Sequence, residues 1–174
     1  MRQEAHSRWK RTFTEEYAAS VQAARFSRLS AVERAEFEAI RCGLEKPGAE
    51  GKAELMSRLE RLASKTDQYH PVPQEPKPAQ SGSWDGDVFS GVWKEASEMR
   101  RTGRLLGLAM QIACPVTAIH GDYDPHPAEG VRAPLCSRLS QFRFTLLENC
   151  GHTPWIEEEA RRRFYQVLWQ ELQD

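Results

Sequence analysis

Two short apolar runs late in the chain, Val116-Thr117-Ala118-Ile119 and Phe142-Arg143-Phe144-Thr145-Leu146-Leu147, do most to limit what this sequence can fold into. Each is followed within a few residues by a glycine turn that delivers an ionisable residue: Asp124 after Gly121, and His152 after Gly151. The first run, starting at Cys114, is uncharged and rich in β-branched residues, as expected of a strand buried on both faces. Between them, positions 127 to 139 read as a helix. Two strands joined by a helix pair in parallel, so this stretch predicts a βαβ unit. In parallel sheets ligands gather at the carboxyl ends of the strands, where Asp124 and His152 would emerge.

A closing helix is expected from Pro154 to Leu172, with Ala160, Phe164, Val167, Leu168 and Leu172 inward. Thr153 is placed to cap it, and Glu157, Glu158 and Glu159 to complement its dipole. The chain ahead of the first strand carries helical periodicity instead. Tyr17, Val21, Ala24 and Leu29, together with Phe13, suit one helix. Ser30-Ala31-Val32-Glu33 is a capping box opening a second, with Phe37, Ile40 and Leu44 on its apolar side. A third runs from about Glu50 to Thr66 through Leu55, Met56, Leu59, Leu62 and Ala63. Residues 67 to 87 are punctuated by proline and glycine and form an extended connection, which Tyr69, His70, Val72 and Trp84 would pack onto a surface. Helical spacing resumes over 89 to 100 and 104 to 111, with Trp93 and Trp84 expected to pack this layer.

The expected division is therefore a helical region over 1–111, with its connection at 67–87, and a βαβα piece over 112–174. Two strands do not make a doubly wound sheet, so further strands would come from outside these residues. Net charge is −1, with 24 basic and 25 acidic residues interspersed, which argues against a nucleic-acid surface. No stretch has the length and apolarity of a signal peptide or a membrane span, so a cytoplasmic protein with no membrane partner is expected. The four cysteines contain no Cys-x-x-Cys pair and read as buried thiols.

An aspartate and a histidine at neighbouring strand ends are two thirds of a nucleophilic triad. The turns His120-Gly121-Asp122-Tyr123-Asp124-Pro125 and Asn149-Cys150-Gly151-His152-Thr153-Pro154-Trp155 resemble the last two active-site turns of the α/β-hydrolase fold, in its lid-bearing, proline iminopeptidase-like form. The resemblance covers about residues 112 to 172, and the helices over 13 to 111 resemble the family's inserted lid. It implies that Asp124 is the acid and His152 the base of a Ser-Asp-His triad, with no metal or other cofactor. It also implies an ester, amide or peptide as the small-molecule substrate of an intact enzyme. The order acid then histidine, 28 residues apart, is that of this fold.

The nucleophile has no candidate. The elbow needs Gly-x-Ser-x-Gly between a strand and a helix, because close backbone approach forbids side chains at the flanking positions. Ser7 lies between Ala5 and Trp9, and Ser83 follows Gly82 in the proline-rich connection; neither has the flanks. The chain is expected to be the lid and C-terminal portion of a hydrolase, inactive alone, completed by an N-terminal half or by self-association. The competing expectation is a non-catalytic module that docks on a partner supplying the missing strands.

Local alternatives exist for each residue. Asp124 could cap the helix after Pro125, and His152 could be a loop histidine bonded to backbone. Tyr123 and Trp155 are expected to pack beside the histidine. His120, Asp122, Asp124 and His126 alternate and are metal-ligand types. Gly121 and Pro125 break the strand there, however, so these four are not expected to share one face.

Overall fold

A computed structural model describes residues 15–46, 51–74 and 86–173 of the 174. Phe13, Trp84, Ser7, Ser83 and most of the proline-rich connection lie outside these residues. Three helices lead the chain: α1 (Glu15–Ser27), α2 (Ala31–Glu45) and α3 (Lys52–Asp67). The capping box forms as its sequence predicts. Ser30 Oγ accepts the Glu33 amide at 3.3 Å, and Glu33 Oε2 accepts the Ser30 amide at 2.9 Å, so two otherwise orphaned donors are satisfied reciprocally. The expected stripes of α2 and α3 face each other around buried Leu29, Ile40 and Leu62, with Phe37, Leu44, Leu55 and Leu59 packed on that cluster.

Helix α4 (Gly86–Arg101) and the short α5 (Arg104–Leu108), extended by a 3-10 turn at Ala109–Gln111, follow. Trp93 is 50% exposed, with the Arg100 guanidinium over its ring, and Val92 is exposed as well, while Ala96 and Met99 are half-buried.

Strand β1 (Val116–Gly121), helix α6 (Ala128–Cys136) and strand β2 (Phe142–Leu147) form the βαβ unit. The strands pair in parallel, with Val116 opposite Phe142 and Gly121 opposite Leu147, so both end at one level. Among the described residues these two strands are the whole sheet. Burial on both faces does not follow, for that reason: Val116 to Ile119 are only half-buried, and Leu146 is 49% exposed. A second cluster, Leu147, Cys150 and Ala160 with Ile119 and Phe164, fills the space beneath the strand ends.

The closing segment also departs from its expected form. Pro154–Ile156 is a 3-10 turn, and helix α7 begins only at Arg161 and runs to Glu171. Thr153 makes no side-chain cap, and Leu168 and Leu172 are exposed rather than inward. The cause is Glu157. It turns inward and is fully buried, spending its carboxylate on backbone amides instead of a helix dipole. Of the four cysteines only Cys150 is buried; Cys42, Cys114 and Cys136 are exposed. The resulting fold is mixed helix and strand, and among the described residues no helix is long and apolar enough to cross a membrane.

Candidate functional site

Both turns after the strands are built to touch. An added Cβ on Gly121 would overlap the carbonyls of Cys150 and Gly151, so a side chain there would force the turns apart. Hydrogen bonds lace them together. The Asp122 amide donates to Leu147 O at 2.9 Å and the Tyr123 amide to Cys150 O at 2.8 Å, while the Cys150 amide donates to Asp122 Oδ1 at 3.1 Å. Asn149 takes a left-handed backbone (φ 52°), which asparagine tolerates better than most residues, and this reverses the chain before Gly151.

A brace then fixes the histidine turn from the other side. Glu157 Oε1 accepts the amides of Gly151 and Tyr69, each at 2.9 Å, and Oε2 accepts the His70 amide at 2.7 Å. The His152 amide donates to Asp67 O at 2.6 Å. Asp67 is itself gripped by Arg25, whose Nε lies 2.8 Å from Oδ1. The helical region thus reaches the site through Asp67, and again through Arg28, whose guanidinium carbon sits 3.5 Å from the Tyr123 ring centroid. Tyr123 packs edge-on against Tyr69 at 5.2 Å and Trp155 against Phe164 at 6.0 Å, so both aromatics pack near the histidine turn.

Within this frame Asp124 and His152 meet. His152 Nδ1 lies 2.8 Å from Asp124 Oδ2; the Asp124 side chain is 7% exposed and that of His152 55% exposed. A buried carboxylate behind an accessible imidazole is the arrangement a proton relay needs, since the carboxylate fixes the tautomer and leaves Nε2 to face a reactant. Burial alone would raise the Asp124 carboxyl, but hydrogen bonds from His126 and His152 outweigh it and hold the group well below the usual carboxylate range. The same Asp124 bond raises His152 above an ordinary histidine, against the opposing effect of burial.

Asp124 does not cap α6. Its Oδ1 accepts the His126 amide at 2.8 Å, a local turn two residues long, and also meets His126 Nδ1 at 2.8 Å. His120 is buried, with Nδ1 2.8 Å from Gly121 O and Nε2 3.7 Å from Asp124 Oδ2. Of the alternating set His120, Asp122, Asp124 and His126, only Asp122 turns away, to Cys150; the two histidines both face Asp124. His152 joins Asp124 and His126 from the second turn. One ligand atom from each of Asp124, His126 and His152 lies within 4.8 Å of the others.

Cys150 lies nearby but is unsuited to nucleophilic work, because burial, with Glu157, Asp122 and Asp124 adding to it, pushes its thiol up to about 12. Two contributors escaped sequence reasoning. Glu157 was hidden among three successive glutamates that look like helix-start charges. The grip of His126 on Asp124 was signalled only by the Asp-Pro-His order, which favours a side-chain turn. Comparison with protein-family models, with curated proteins and with solved structures finds no match to this chain.

Proposed function

We propose that this chain carries the acid–base half of a serine-hydrolase active site, with Asp124 orienting His152, in the lid and C-terminal portion of an α/β-hydrolase fold. The observation that carries the reading is the 2.8 Å contact between His152 Nδ1 and Asp124 Oδ2, placed where two adjacent parallel strands end together. In the completed enzyme His152 Nε2 accepts the proton of a serine hydroxyl as it attacks an ester, amide or peptide carbonyl. The imidazolium then returns that proton to the leaving group, and water releases the acyl-enzyme by the same route. The 174 residues hold no Gly-x-Ser-x-Gly, so on this reading the nucleophile and the oxyanion donors come from residues outside them.

The test is an esterase and aminopeptidase assay on the purified chain, alone and mixed with a hydrolase half that contains the elbow. We expect no turnover from the chain alone and His152-dependent turnover from the mixture. Turnover by the chain alone that survives His152→Ala overturns the reading, as does a co-purifying mixture with no His152-dependent turnover.

One observation favours a second reading. Leu105, Leu108, Met110 and Ile112, in the segment leading to β1, are exposed, as is Leu146 on β2, and the sheet has two half-covered strands. A non-catalytic module docking on a partner that supplies strands would cover them. Amide exchange over Val116 to Ile119 discriminates: slow exchange only within a complex supports docking, and slow exchange in a cooperatively folding monomer rejects it.

A further inference from the structure

A relay accounts for one of the two imidazoles on Asp124. The second, His126, occupies Oδ1 at 2.8 Å while His152 occupies Oδ2 at 2.8 Å. We propose that Asp124, His126 and His152 form a binding site for one divalent first-row transition-metal ion of the zinc class, and that metal occupancy and the Asp124–His152 relay exclude each other. The site itself stands apart from the hydrolase reading; its consequence for hydrolysis rests on that reading.

The donor set fits. Two imidazoles and a carboxylate, with water in the fourth position, are a recurrent environment for zinc with an open site, and two nitrogen donors disfavour magnesium or calcium. Donors bound to a tetrahedral zinc at 2.0–2.2 Å stand about 3.4 Å apart. Atoms already within 4.8 Å reach that spacing by small ring and carboxylate rotations. Asp124 is held from behind by the His126 amide. His120 lies behind it, with Nδ1 on the Gly121 carbonyl and Nε2 3.7 Å from Asp124 Oδ2. The ion has a way in, because the His152 side chain is largely exposed and that of His126 is 31% exposed.

Exclusion follows from the tautomer. In the relay, Nδ1 of His152 carries the proton given to Asp124, and the Nε2 lone pair receives the proton of the nucleophile. With a metal on Nδ1, that proton moves through solvent to Nε2, which becomes a donor. The ring is still neutral, no electrons are exchanged, and its basic nitrogen is gone.

The test uses the untagged full chain, stripped with EDTA and titrated with zinc chloride by calorimetry and with cobalt chloride by visible absorption. We expect one equivalent per chain. His126→Ala and His152→Ala, each checked for a native far-UV spectrum, should weaken binding by at least about a hundredfold. His126→Gln, which keeps the side chain's bulk, should do the same. A His6→Ala/His70→Ala variant should bind as the parent does. Nitrogen-15 spectra of zinc-loaded chain should show the His152 proton on Nε2. Absence of zinc binding, or one-equivalent binding that persists in the His126→Ala/His152→Ala variant, overturns the site. Zinc binding together with metal-free turnover that ignores His152 keeps the site and overturns the relay alone.

Discussion

Glu157 shows how much of this fold rests on single side chains. Its buried carboxylate accepts three backbone amides from two distant stretches, Tyr69 and His70 on one side and Gly151 on the other. A buried donor left unpaired costs about 1–3 kcal/mol, so Glu157→Ala should destabilise the chain by roughly 3 kcal/mol or more, and Glu157→Gln by less. Urea denaturation measures both, and an Ala variant within about 0.5 kcal/mol of the parent would contradict the brace. His70 sits at the other end of that contact, with Nδ1 2.9 Å from Glu159 and Nε2 3.5 Å from Glu158. The Glu159 hydrogen bond comes first, with the charges of Glu159, Glu158 and Glu157 adding to it, and together they raise the His70 pKa. The folded state therefore holds this proton more tightly than the unfolded chain. Its stabilisation is full below about pH 6.5 and fades as pH rises through the higher folded value. An NMR titration should place the His70 midpoint above the ordinary histidine value, and Glu159→Gln should lower it. At this scale the Asp124–His152 pair was legible in the sequence, because glycine turns after apolar runs announce strand-end residues. Glu157 was not, since nothing local distinguishes a glutamate that turns inward from neighbours that stay in water.

Elements whose ends are fixed by local chemistry were the legible ones. Ser30 and Glu33 specify the start of α2 within four residues, and Phe142–Leu147 matches its expected strand residue for residue. Ser30→Ala removes an N-cap oxygen and should cost about 1 kcal/mol, with Ser30→Gly costing only a few tenths. Paired denaturant midpoints with unchanged slopes would check this, and equal losses for Ala and Gly would show the cap to be idle. Elements whose ends depend on distant partners were misread. The start of α7 moved from Pro154 to Arg161 because Glu157 serves residues nearly ninety positions away, with a sequence separation of 88 to Tyr69. The apolar content of β1 promised cover on both faces, but sequence composition records only what a strand can tolerate, not what lies against it.

At the scale of the whole molecule, two apolar clusters are held together mainly by polar contacts. Leu29, Ile40 and Leu62 centre the helical cluster, and Leu147, Cys150 and Ala160 the one beneath the strands. Between them lie the His152 amide on Asp67 O, Arg28 over Tyr123, and the antiparallel bridge of Pro71 to Glu157, with Arg25 holding Asp67 from the helical side. The sequence suggests a boundary near residue 111, yet the histidine turn is shaped by residues 67 to 70, well before it. A fragment of residues 112–174 would keep both strands but lose the amides of Tyr69 and His70, two of the three donors on Glu157. It would also lose the acceptor for the His152 amide. At about 1–3 kcal/mol for each stranded buried group, the loss is comparable with the 5–15 kcal/mol that stabilises a whole domain. A fragment near 60 residues has little apolar core to offset it. We therefore expect the fragment to lack a cooperative urea transition, whereas the full chain unfolds with Asp124 and His152 reporting the same midpoint as the helices. A sharp, dispersed NMR spectrum from the fragment would show instead that the strand region folds by itself, and that the helices are an accessory to the site and not part of its frame.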